Sequence, residues 1–372
     1  MAVTSQLVIE AFEARYSSTP DLARAPGRVN LIGEHTDYNL GRVLPVAIDL
    51  DCYAASAPNR QGLLRVHSEN LHQSREWPVE QIAGLQAAGD WTDYVIGIAR
   101  QLPLGHGRDL LIASNVPLGS GLSSSAALEI STALALGWPD MTPGIELAKV
   151  ARRAENEFIG LPSGIMDQFA AVFGQRNAAL LIDCRSLESE PVPLPDGVAI
   201  VAVNSMVKHA LGQSAYRDRV AECAVAAADL GVESLRDARP EQLQLIRDPV
   251  AQRRARHVLS ENQRVLDFVT ASRKGDLREM GRLLEASHRS LDQDYEVSCA
   301  ELNFLVNQAI EIEGTFGARM TGGGFGGCTV NLIDPAAVEA FKDRVRSAYL
   351  AEFGIEPVFY QIHASDGARR IS

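Results

Sequence analysis

The sequence lacks the features that mark several common classes of protein. Its five cysteines are widely spaced and form no Cys-x-x-Cys pair, so neither a structural zinc site nor a disulfide framework is indicated. No apolar run is long enough to cross a bilayer, and the longest, residues 197–207, is typical of a buried strand. Residues 1–13 contain acidic side chains and no apolar core of the kind a signal peptide needs. We therefore expect a cytoplasmic protein with reduced thiols and no membrane partner.

Basic clusters are also scarce. The formal net charge is -12, and the densest basic run, Arg253 to Arg256, lies in a helical pattern near acidic residues. A nucleic-acid-binding protein normally carries a basic patch, so we expect no nucleic-acid partner. The chain has 372 residues, of which 46 % are hydrophobic and 22 % are charged, which is typical of a globular protein of two domains. This composition favours a protein that acts on small molecules.

The most informative stretch that is present runs Pro-Leu-Gly-Ser-Gly-Leu-Ser-Ser-Ser-Ala-Ala over residues 117–127. A predicted strand, 109–116, leads into it and a predicted helix, 126–136, follows. A glycine-rich turn at the start of a helix exposes backbone N–H groups to an anion, and phosphate is the usual ligand. The stretch is not a Walker A loop, because no Gly-Lys-Ser/Thr follows, and Ser124 replaces the third glycine of a dinucleotide fingerprint. A serine N-cap after an ordinary glycine turn fits the same residues.

A second polar stretch follows the short apolar strand 29–32. The six positions 34–39 contain Glu34, His35, Asp37, Tyr38 and Asn39, whereas a turn normally needs one or two polar residues of this kind. This density predicts a hydrogen-bonding surface for a polyhydroxylated ligand, opposite Arg28 and Asn30. The alternative is a loop that satisfies its own polar groups around a buried Arg28–Asp37 ion pair.

Two further features come later in the chain. Asp167 begins an otherwise apolar helix, where an aspartate is either a charge that meets the helix dipole or a working carboxylate. Residues 322–327 are nearly all glycine between two apolar strands. Such a density is costly in entropy and indicates close packing of backbone on backbone or ligand, although a flexible link is the alternative.

The rest of the chain gives a coarse secondary structure from hydrophobic periodicity. We predict strands at 43–57, 62–67 (paired with the strand before it), 73–79, 178–183, 198–203 and 357–363, and around the glycine loop. We predict helices at 5–16, 91–102, 143–159, 165–172, 214–230, 240–245, 250–272, 277–288, 299–313 and 335–353.

Taken together and in this order, the three stretches resemble the superfamily of galactokinase, homoserine kinase, mevalonate kinase and phosphomevalonate kinase. Within it, Gly27-Arg-Val-Asn-Leu-Ile-Gly-Glu-His-Thr-Asp-Tyr-Asn39 resembles the galactokinase signature essentially without a mismatch. Three further stretches, at residues 163–169, 294–299 and 320–328, support the same family. The resemblance covers nearly the whole chain and is weakest around residues 230–255.

The resemblance implies an α/β (α+β) protein of two domains with the active site in the cleft between them. The N-terminal domain, 1–190, would hold a mixed sheet, the sugar signature and the phosphate loop. The C-terminal domain, 191–372, would be ferredoxin-like with extra helices and would hold the glycine loop. The implied reaction transfers the γ-phosphoryl group of ATP to the C1 hydroxyl of α-D-galactose, with Mg²⁺, in a monomeric sugar kinase of galactose metabolism.

The resemblance also implies a role for individual residues. Asp167 would face the C1 hydroxyl, and Arg28 would lie beside it. Because an aspartate is a weak base and Arg28 would keep it so, we hypothesise that Asp167 mainly orients the hydroxyl and takes its proton late, and that Arg28 stabilises charge on Asp167 and on the migrating phosphoryl group. The implied sugar ligands are Glu34, His35, Thr36, Asp37, Gly164 and Tyr216. The implied ATP contacts are Gly119, Ser120, Gly121, Leu122, Ser123, Ser124 and Ser125, with Ser68 matching only some family members. Ser125 and Glu155 would hold the magnesium ion.

Three other functions fit parts of the sequence. A galactose- and ATP-binding sensor without activity would differ at the serine loop, which is intact here at residues 123–127. A kinase for a related sugar such as N-acetylgalactosamine would differ in the room around the C2 substituent, which the sequence does not reveal. A dinucleotide-dependent oxidoreductase is supported only by the region around Gly119 and is opposed by the polar turn.

Overall fold

The structure is a computed structural model that describes residues 3–139, 143–208 and 212–371. Within these residues the chain forms thirteen β-strands and ten α-helices. The strands are β1 Asp21–Asn30, β2 Arg42–Val43, β3 Pro45–Asn59, β4 Leu63–Ser68, β5 Gln73–Pro78, β6 Gly107–Ser114, β7 Ala178–Asp183, β8 Glu188–Pro193, β9 Ala199–Lys208, β10 Thr315–Thr321, β11 Gly326–Ile333, β12 Val358–Ile362 and β13 Arg369–Ile371. The helices are α1 Ser5–Tyr16, α2 Thr92–Ala99, α3 Ser124–Ala135, α4 Ile145–Arg153, α5 Met166–Phe173, α6 Gly212–Leu230, α7 Pro249–Lys274, α8 Leu277–Gln293, α9 Ala300–Ile310 and α10 Val338–Phe353.

The first half of the chain is built on a six-stranded mixed sheet in the order β13-β1-β3-β6-β4-β5. Strand β4 pairs parallel with β6, with Val66 opposite Leu110, and antiparallel with β5. The prediction that residues 62–67 pair with the strand before them is therefore wrong. Strand β6 lies between the two instead, because Leu110 and Leu111 point to opposite faces and both are buried, as suits a central strand.

Helices cover both faces of this sheet. On one face α3 and α5 pack against β1 and β3, and the core there includes Ile130 and Phe169. On the other face α1 inserts Val8 and Phe12 against β3 and β6. The sheet and its helices thereby bring the loop between β6 and α3 next to the start of α5, where Ser123 contacts Asp167.

The second half forms a four-stranded antiparallel sheet in the order β10-β11-β9-β12. Its strands and helices follow the β-α-β-β-α-β order of a ferredoxin-like fold, which confirms the predicted architecture. Helices α9 and α10 cover one face through a cluster that includes Leu305, Phe341 and Tyr349. Helices α6, α7 and α8 are the extra helices, and α7 reaches back to contact β2 and β8 of the first half.

Three short strands, β2, β8 and β13, are absent from the sequence-based prediction. Strands β2 and β8 flank β7 in a small three-stranded sheet, and β8 is exposed at all but one position, so it shows no alternation of apolar residues. Strand β13 joins the first sheet although it follows the second. We propose to keep the domain division at residues 190/191, which falls within β8, before the second sheet begins. Within the described ranges, every helix is too short or too polar to span a bilayer.

We predict that Gly281→Ala destabilises the protein, because α8 and β10 meet there backbone to backbone. A Cβ atom on Gly281 would lie 1.7 Å from the Phe316 carbonyl oxygen. Forcing the two elements apart should lower the free energy of unfolding by about 2 kcal/mol or more, even against the better helix propensity of alanine. Urea titration followed by circular dichroism measures this change.

The matched control is Gly84→Ala, whose Cβ would meet nothing within 4 Å. It should leave the unfolding midpoint nearly unchanged. An alanine at position 281 that is as well tolerated as the alanine at position 84 would show that the contact is not tight.

Candidate active site

The loop between β6 and α3 is shaped by three left-handed residues. Gly119, Gly121 and Ser123 have φ values of 70°, 82° and 64°. Such a conformation is ordinary for glycine but strained for serine, so the surrounding structure must hold Ser123 in place. The loop delivers the chain to the N-terminus of α3, where unpaired backbone N–H groups and the helix dipole favour an anion.

The side chains of this loop divide into two groups. Ser120 donates to the Pro117 carbonyl oxygen at 2.9 Å, and Leu122 is fully buried, so only their backbone can contact a ligand. Ser124 and Ser125 are partly exposed at the start of α3. The predicted phosphate contacts therefore reduce to backbone N–H groups and two hydroxyls.

Arg28 and Asp167 form the central pair of the site. Arg28 Nε donates to Asp167 Oδ1 at 2.8 Å and Nη2 donates to Oδ2 at 2.7 Å, while Nη1 donates to the Gly121 carbonyl oxygen at 2.6 Å. The Ser123 hydroxyl also donates to Asp167 Oδ2. The alternative of an Arg28–Asp37 pair is therefore wrong. The Ser123 hydroxyl contacts the Asp167 carboxylate, so it is not free to donate to a phosphate at the loop.

The Arg28–Asp167 pair is charged and only partly buried. The Arg28 side chain is 6 % exposed and that of Asp167 is 28 % exposed. Burial alone would lower the pKa of Arg28, but the charges of Asp167 and Glu34 outweigh it and raise the pKa above its ordinary value. The guanidinium thus stays protonated, and the carboxylate keeps one edge open to the cavity.

The polar turn is held from below by the second half of the chain. Glu34 Oε1 accepts a hydrogen bond from the Gly322 N–H at 2.7 Å, and the Thr321 hydroxyl lies 3.1 Å from Glu34 Oε1 and 3.0 Å from the Asn30 carbonyl oxygen. Thr36 is fully buried, and its hydroxyl lies 2.8 Å from the Gly33 carbonyl oxygen and 2.7 Å from that of Arg42. The Thr36 hydroxyl is directed at these two backbone carbonyls, so the structure does not bring this predicted sugar ligand to the cavity.

His35 is neutral and already has partners on both ring nitrogens. Burial lowers its pKa to about 3. Nδ1 lies 2.9 Å from the Tyr38 hydroxyl and Nε2 lies 3.3 Å from the Gly323 carbonyl oxygen, so Nε2 carries the proton and donates to the glycine loop. The rings of Tyr216 and Tyr295 pack against it at 5.5 Å and 4.9 Å. Neither ring nitrogen can bind a sugar hydroxyl unless one of these contacts breaks.

Asp37 is a buried carboxylate without a cationic partner within ion-pair distance in the described residues. Burial, followed by the negative charge of Asp167, raises its pKa to about 6. A Cβ atom on Gly164 would lie 1.9 Å from Asp37 Oδ2, so the glycine is required for this close approach. The structure therefore brings together two of the predicted sugar ligands, Asp37 and Gly164.

Glu155 lies on a widened turn that the sequence did not predict. The predicted helix 143–159 is α-helical only to Arg153 and continues as a π-helical segment over 154–159, a feature that often marks functional sites. Glu155 Oε2 accepts hydrogen bonds from the Ser163 hydroxyl at 2.5 Å and from Gln168 Nε2 at 3.2 Å. Burial raises its pKa, and the Ser163 hydrogen bond acts in the opposite direction.

One cavity of about 140 Å³ collects most of these groups. Tyr216 and the glycine-loop residues Gly322 and Gly323 also line it. Ser68 is buried at the end of β4, where its Oγ accepts from the Leu71 N–H, and does not line it. The predicted site residues that line it are Arg28, Glu34, His35, Asp37, Ser125, Glu155, Gly164, Asp167 and Tyr216.

A larger groove of about 660 Å³ lies elsewhere, beside α1, β4 and β5. Arg65 there is already paired with Asp109 at 2.6 Å and Arg15 with Ser74 at 2.7 Å. The smaller cavity, with its carboxylates and loop termini, is the better candidate for chemistry.

Sequence reasoning gave no role to Ser163, Gln168 or Arg319. Ser163 and Gln168 lie within a stretch that resembles the family, and their hydrogen bonds to Glu155 show what they do. Arg319 is an arginine inside an apolar strand, which is itself a signal of a buried charge contact. The sequence alone does not identify its partner, because that partner, Glu34, is 285 residues earlier in the chain.

Comparison with known proteins identifies the class. Residues 93–175 match the model of the GHMP kinases N terminal domain, and residues 268–351 match that of the GHMP kinases C terminal domain. A mevalonate kinase from Methanococcus jannaschii shares the fold, with a TM-score of 0.67 at 18 % identity over 94 % of this chain and 99 % of that chain. Fold and site thus define a GHMP-type small-molecule kinase.

Within this class the similarity is specific. Residues 10–58 match the galactokinase galactose-binding signature. Galactokinases from Roseiflexus sp. (strain RS-1) and Homo sapiens are each 44 % identical, over 97 % and 96 % of this chain and 96 % and 94 % of theirs. The structure of Lactococcus lactis galactokinase complexed with galactose has a TM-score of 0.93 at 34 % identity, covering 98 % of this chain and 99 % of that one. The chain belongs to the galactokinase family and is an ATP-dependent sugar kinase.

We predict that Asp37→Asn stabilises the ligand-free protein at neutral pH. A carboxylate with a pKa raised to about 6 is disfavoured in its charged form, so its cost to folding grows from about pH 4 to pH 6 and is complete above pH 6. A neutral amide removes that cost, which is about 1–3 kcal/mol at pH 7.5. Denaturant unfolding between pH 4 and pH 8 measures the difference from wild type.

The control is Asp218→Asn on the exposed face of α6, which removes the same charge at the surface. Its effect should be small at every pH. If Asp37→Asn lowers stability at pH 7.5, or its advantage grows towards pH 4, the burial cost assigned to Asp37 is wrong.

Proposed function

We propose that the chain transfers the γ-phosphoryl group of ATP to the C1 hydroxyl of α-D-galactose, with Mg²⁺. The observation that carries this proposal is the Arg28–Asp167 pair, which opens onto a cavity between the polar turn and the serine loop. A carboxylate and a guanidinium held together at the meeting point of a hydroxyl-binding surface and an anion-binding loop suit phosphoryl transfer, in which positioning and charge stabilisation dominate.

Asp167 would orient the attacking hydroxyl and accept its proton late. Both its oxygens already accept hydrogen bonds from Arg28, and one also accepts from Ser123, so the carboxylate cannot rotate freely. The fixed carboxylate would hold the attacking hydroxyl in one orientation. Arg28, which also contacts the loop at Gly121, would stabilise negative charge on the phosphoryl group in transit.

The sugar would be bound mainly by acceptors. Glu34 and Asp37 present carboxylates that would accept hydrogen bonds from sugar hydroxyl groups, and Gly164 and Tyr216 line the same cavity. His35 would contribute its ring face and hold the glycine loop over the sugar, since its nitrogens are occupied. A misplaced hydroxyl would leave a buried carboxylate unpaired, which costs about 1–3 kcal/mol, so epimers should be rejected.

Ser125 and Glu155 fit a magnesium ion. Both are oxygen donors, which Mg²⁺ prefers, and both line the cavity beside the start of α3. Glu155 is buried, and in the part of the chain that is described no basic side chain lies within ion-pair distance of it, so a cation would supply the missing charge. When bound, the ion would neutralise the phosphate charges of ATP. Ser163 and Gln168 would keep the Glu155 carboxylate oriented for it.

We also propose that the kinase acts as a monomer in the cytoplasm. The five cysteines are free thiols, four of them buried, as suits a reducing compartment. Each proposed ligand of the site comes from this chain.

We predict that the protein forms galactose 1-phosphate and ADP in equal amounts from galactose and Mg-ATP. The panel should include glucose, which differs at C4, and N-acetylgalactosamine, which differs at C2. Direct chromatography of nucleotides and sugar phosphates is the measurement, because coupling enzymes need magnesium themselves. Glucose should react at least about tenfold less efficiently, and chelation of divalent metal with EDTA should stop the reaction.

Binding of galactose and ATP without ADP release would instead identify a sensor. Preference for N-acetylgalactosamine would identify a kinase for that sugar. Either result would overturn the proposed substrate or activity.

We predict that Asp167→Asn and Asp167→Ala reduce kcat by about 10³-fold or more while galactose binding stays within about tenfold of wild type. The reason is that the lost contact acts mainly on the proton and charge of the transition state. Single-turnover kinetics and calorimetric sugar binding separate the two effects. Asp218→Ala on the surface of α6 is the control and should leave both unchanged. Near-normal turnover of either variant at position 167 would exclude Asp167 as the reacting carboxylate.

A further inference from the structure

Arg319 in β10 is fully buried and lies beneath the polar turn. Its Nη1 donates to the carbonyl oxygens of Leu31 at 2.8 Å and Asn30 at 3.2 Å, where the chain enters that turn. Its Nη2 lies 3.1 Å from Glu34 Oε1. One guanidinium from the second half of the chain therefore holds both the backbone of the turn and its first carboxylate.

The contacts of Glu34 all converge on one of its two oxygens. Besides Arg319, the Thr321 hydroxyl and the Gly322 N–H reach Oε1. Among the described residues no protein hydrogen bond goes to Oε2, although Glu34 lines the cavity. This arrangement fixes the carboxylate by one oxygen and leaves the other for a ligand.

Comparison with a second buried arginine separates this contact from ordinary structural pairing. Arg254, in α7, is 2 % exposed, and its Nε, Nη1 and Nη2 each donate a hydrogen bond of 2.6 Å, to Glu222, Asp294 and Glu296. By contrast, Nε and Nη2 of Arg319 make no well-aligned hydrogen bond to any residue that the structure describes. A buried guanidinium that gives up part of its hydrogen bonding is costly, and such a group calls for a functional reason.

We propose that Arg319 is a positioning residue for the sugar site: it holds Glu34 by Oε1 so that Oε2 faces the sugar, and thereby sets sugar affinity. The proposal rests on the proposed function, in which Glu34 is a sugar ligand. Arg319 contacts no reacting atom. Because Glu34 Oε1 is also tied to Gly322, the same contact keeps the glycine loop over the cavity.

The test compares Arg319→Met, Arg319→Lys and Thr321→Val with the control Arg254→Met. Calorimetric binding of galactose without nucleotide, KM for galactose and KM for ATP are the measurements. Arg319→Met should weaken galactose binding by about 10- to 100-fold, and Thr321→Val by about 3- to 10-fold, since each removes a contact to a charged group. The KM for ATP should change less than about threefold. Arg319→Lys keeps the positive charge but not the planar guanidinium with its several donors, so it should recover part of the lost galactose affinity.

Arg254→Met removes an equally buried guanidinium outside the site. It should lower thermal stability without changing the KM for galactose. If Arg319→Met does not fold, Arg319→Lys and Thr321→Val carry the same test.

A double variant shows whether Arg319 acts through Glu34. Arg319→Met/Glu34→Gln should bind galactose no more weakly than the weaker of its single variants. Fully additive losses, or unchanged galactose affinity in all variants at positions 319 and 321, would overturn the proposal. A wild-type protein that neither binds nor phosphorylates galactose would overturn the proposed function instead, and the two failures are thus distinguishable.

Discussion

The site depends on one carboxylate, Asp167, held on both oxygens by the guanidinium of Arg28. Arg28 in β1 and Asp167 in α5 are 139 residues apart in the chain, and their contact fixes the strand against the helix. The third guanidinium nitrogen extends the contact to the serine loop at Gly121, so the strand, the loop and the helix form one unit. A charged pair of this kind is costly to remove from water, and removing either partner would leave an unpaired buried charge. In the proposed function this cost is tolerated because the pair lies where the sugar and the nucleotide would meet.

The second constraint is close packing of two glycine loops. A Cβ atom on Gly322 would lie 3.1 Å from the Gly121 carbonyl oxygen, and one on Gly327 would lie 2.9 Å from that of Ser120. The loop at 322–327 is therefore an ordered connection between β10 and β11, and a flexible link is the wrong interpretation of its glycines. Since Gly322 also donates to Glu34, this loop joins the polar turn to the serine loop.

The parts of the fold and of the site that depend on local sequence patterns could be predicted from the sequence. The strand, glycine turn and helix around residues 107–135 follow from hydrophobic periodicity and glycine spacing, and the family resemblance, confirmed by the comparisons, supplied the fold and the kinase activity. Non-local pairing was harder. The sequence did not decide whether Arg28 pairs with Asp37 or with Asp167. The position of β6 between β3 and β4 depends on burial on both of its faces rather than on the order of the strands along the chain. The π-helical turn at Glu155 leaves no trace in helical periodicity. The roles of the site residues stay predictions.

The most direct measurement is a crystal structure of the protein with galactose and a non-hydrolysable ATP analogue bound together. The account predicts the anomeric hydroxyl within hydrogen-bond distance of the free edge of Asp167, with the γ-phosphate between Arg28 and the backbone N–H groups of residues 119–125. A ternary complex in which the sugar lies away from Asp167, or the triphosphate away from that loop, would contradict it.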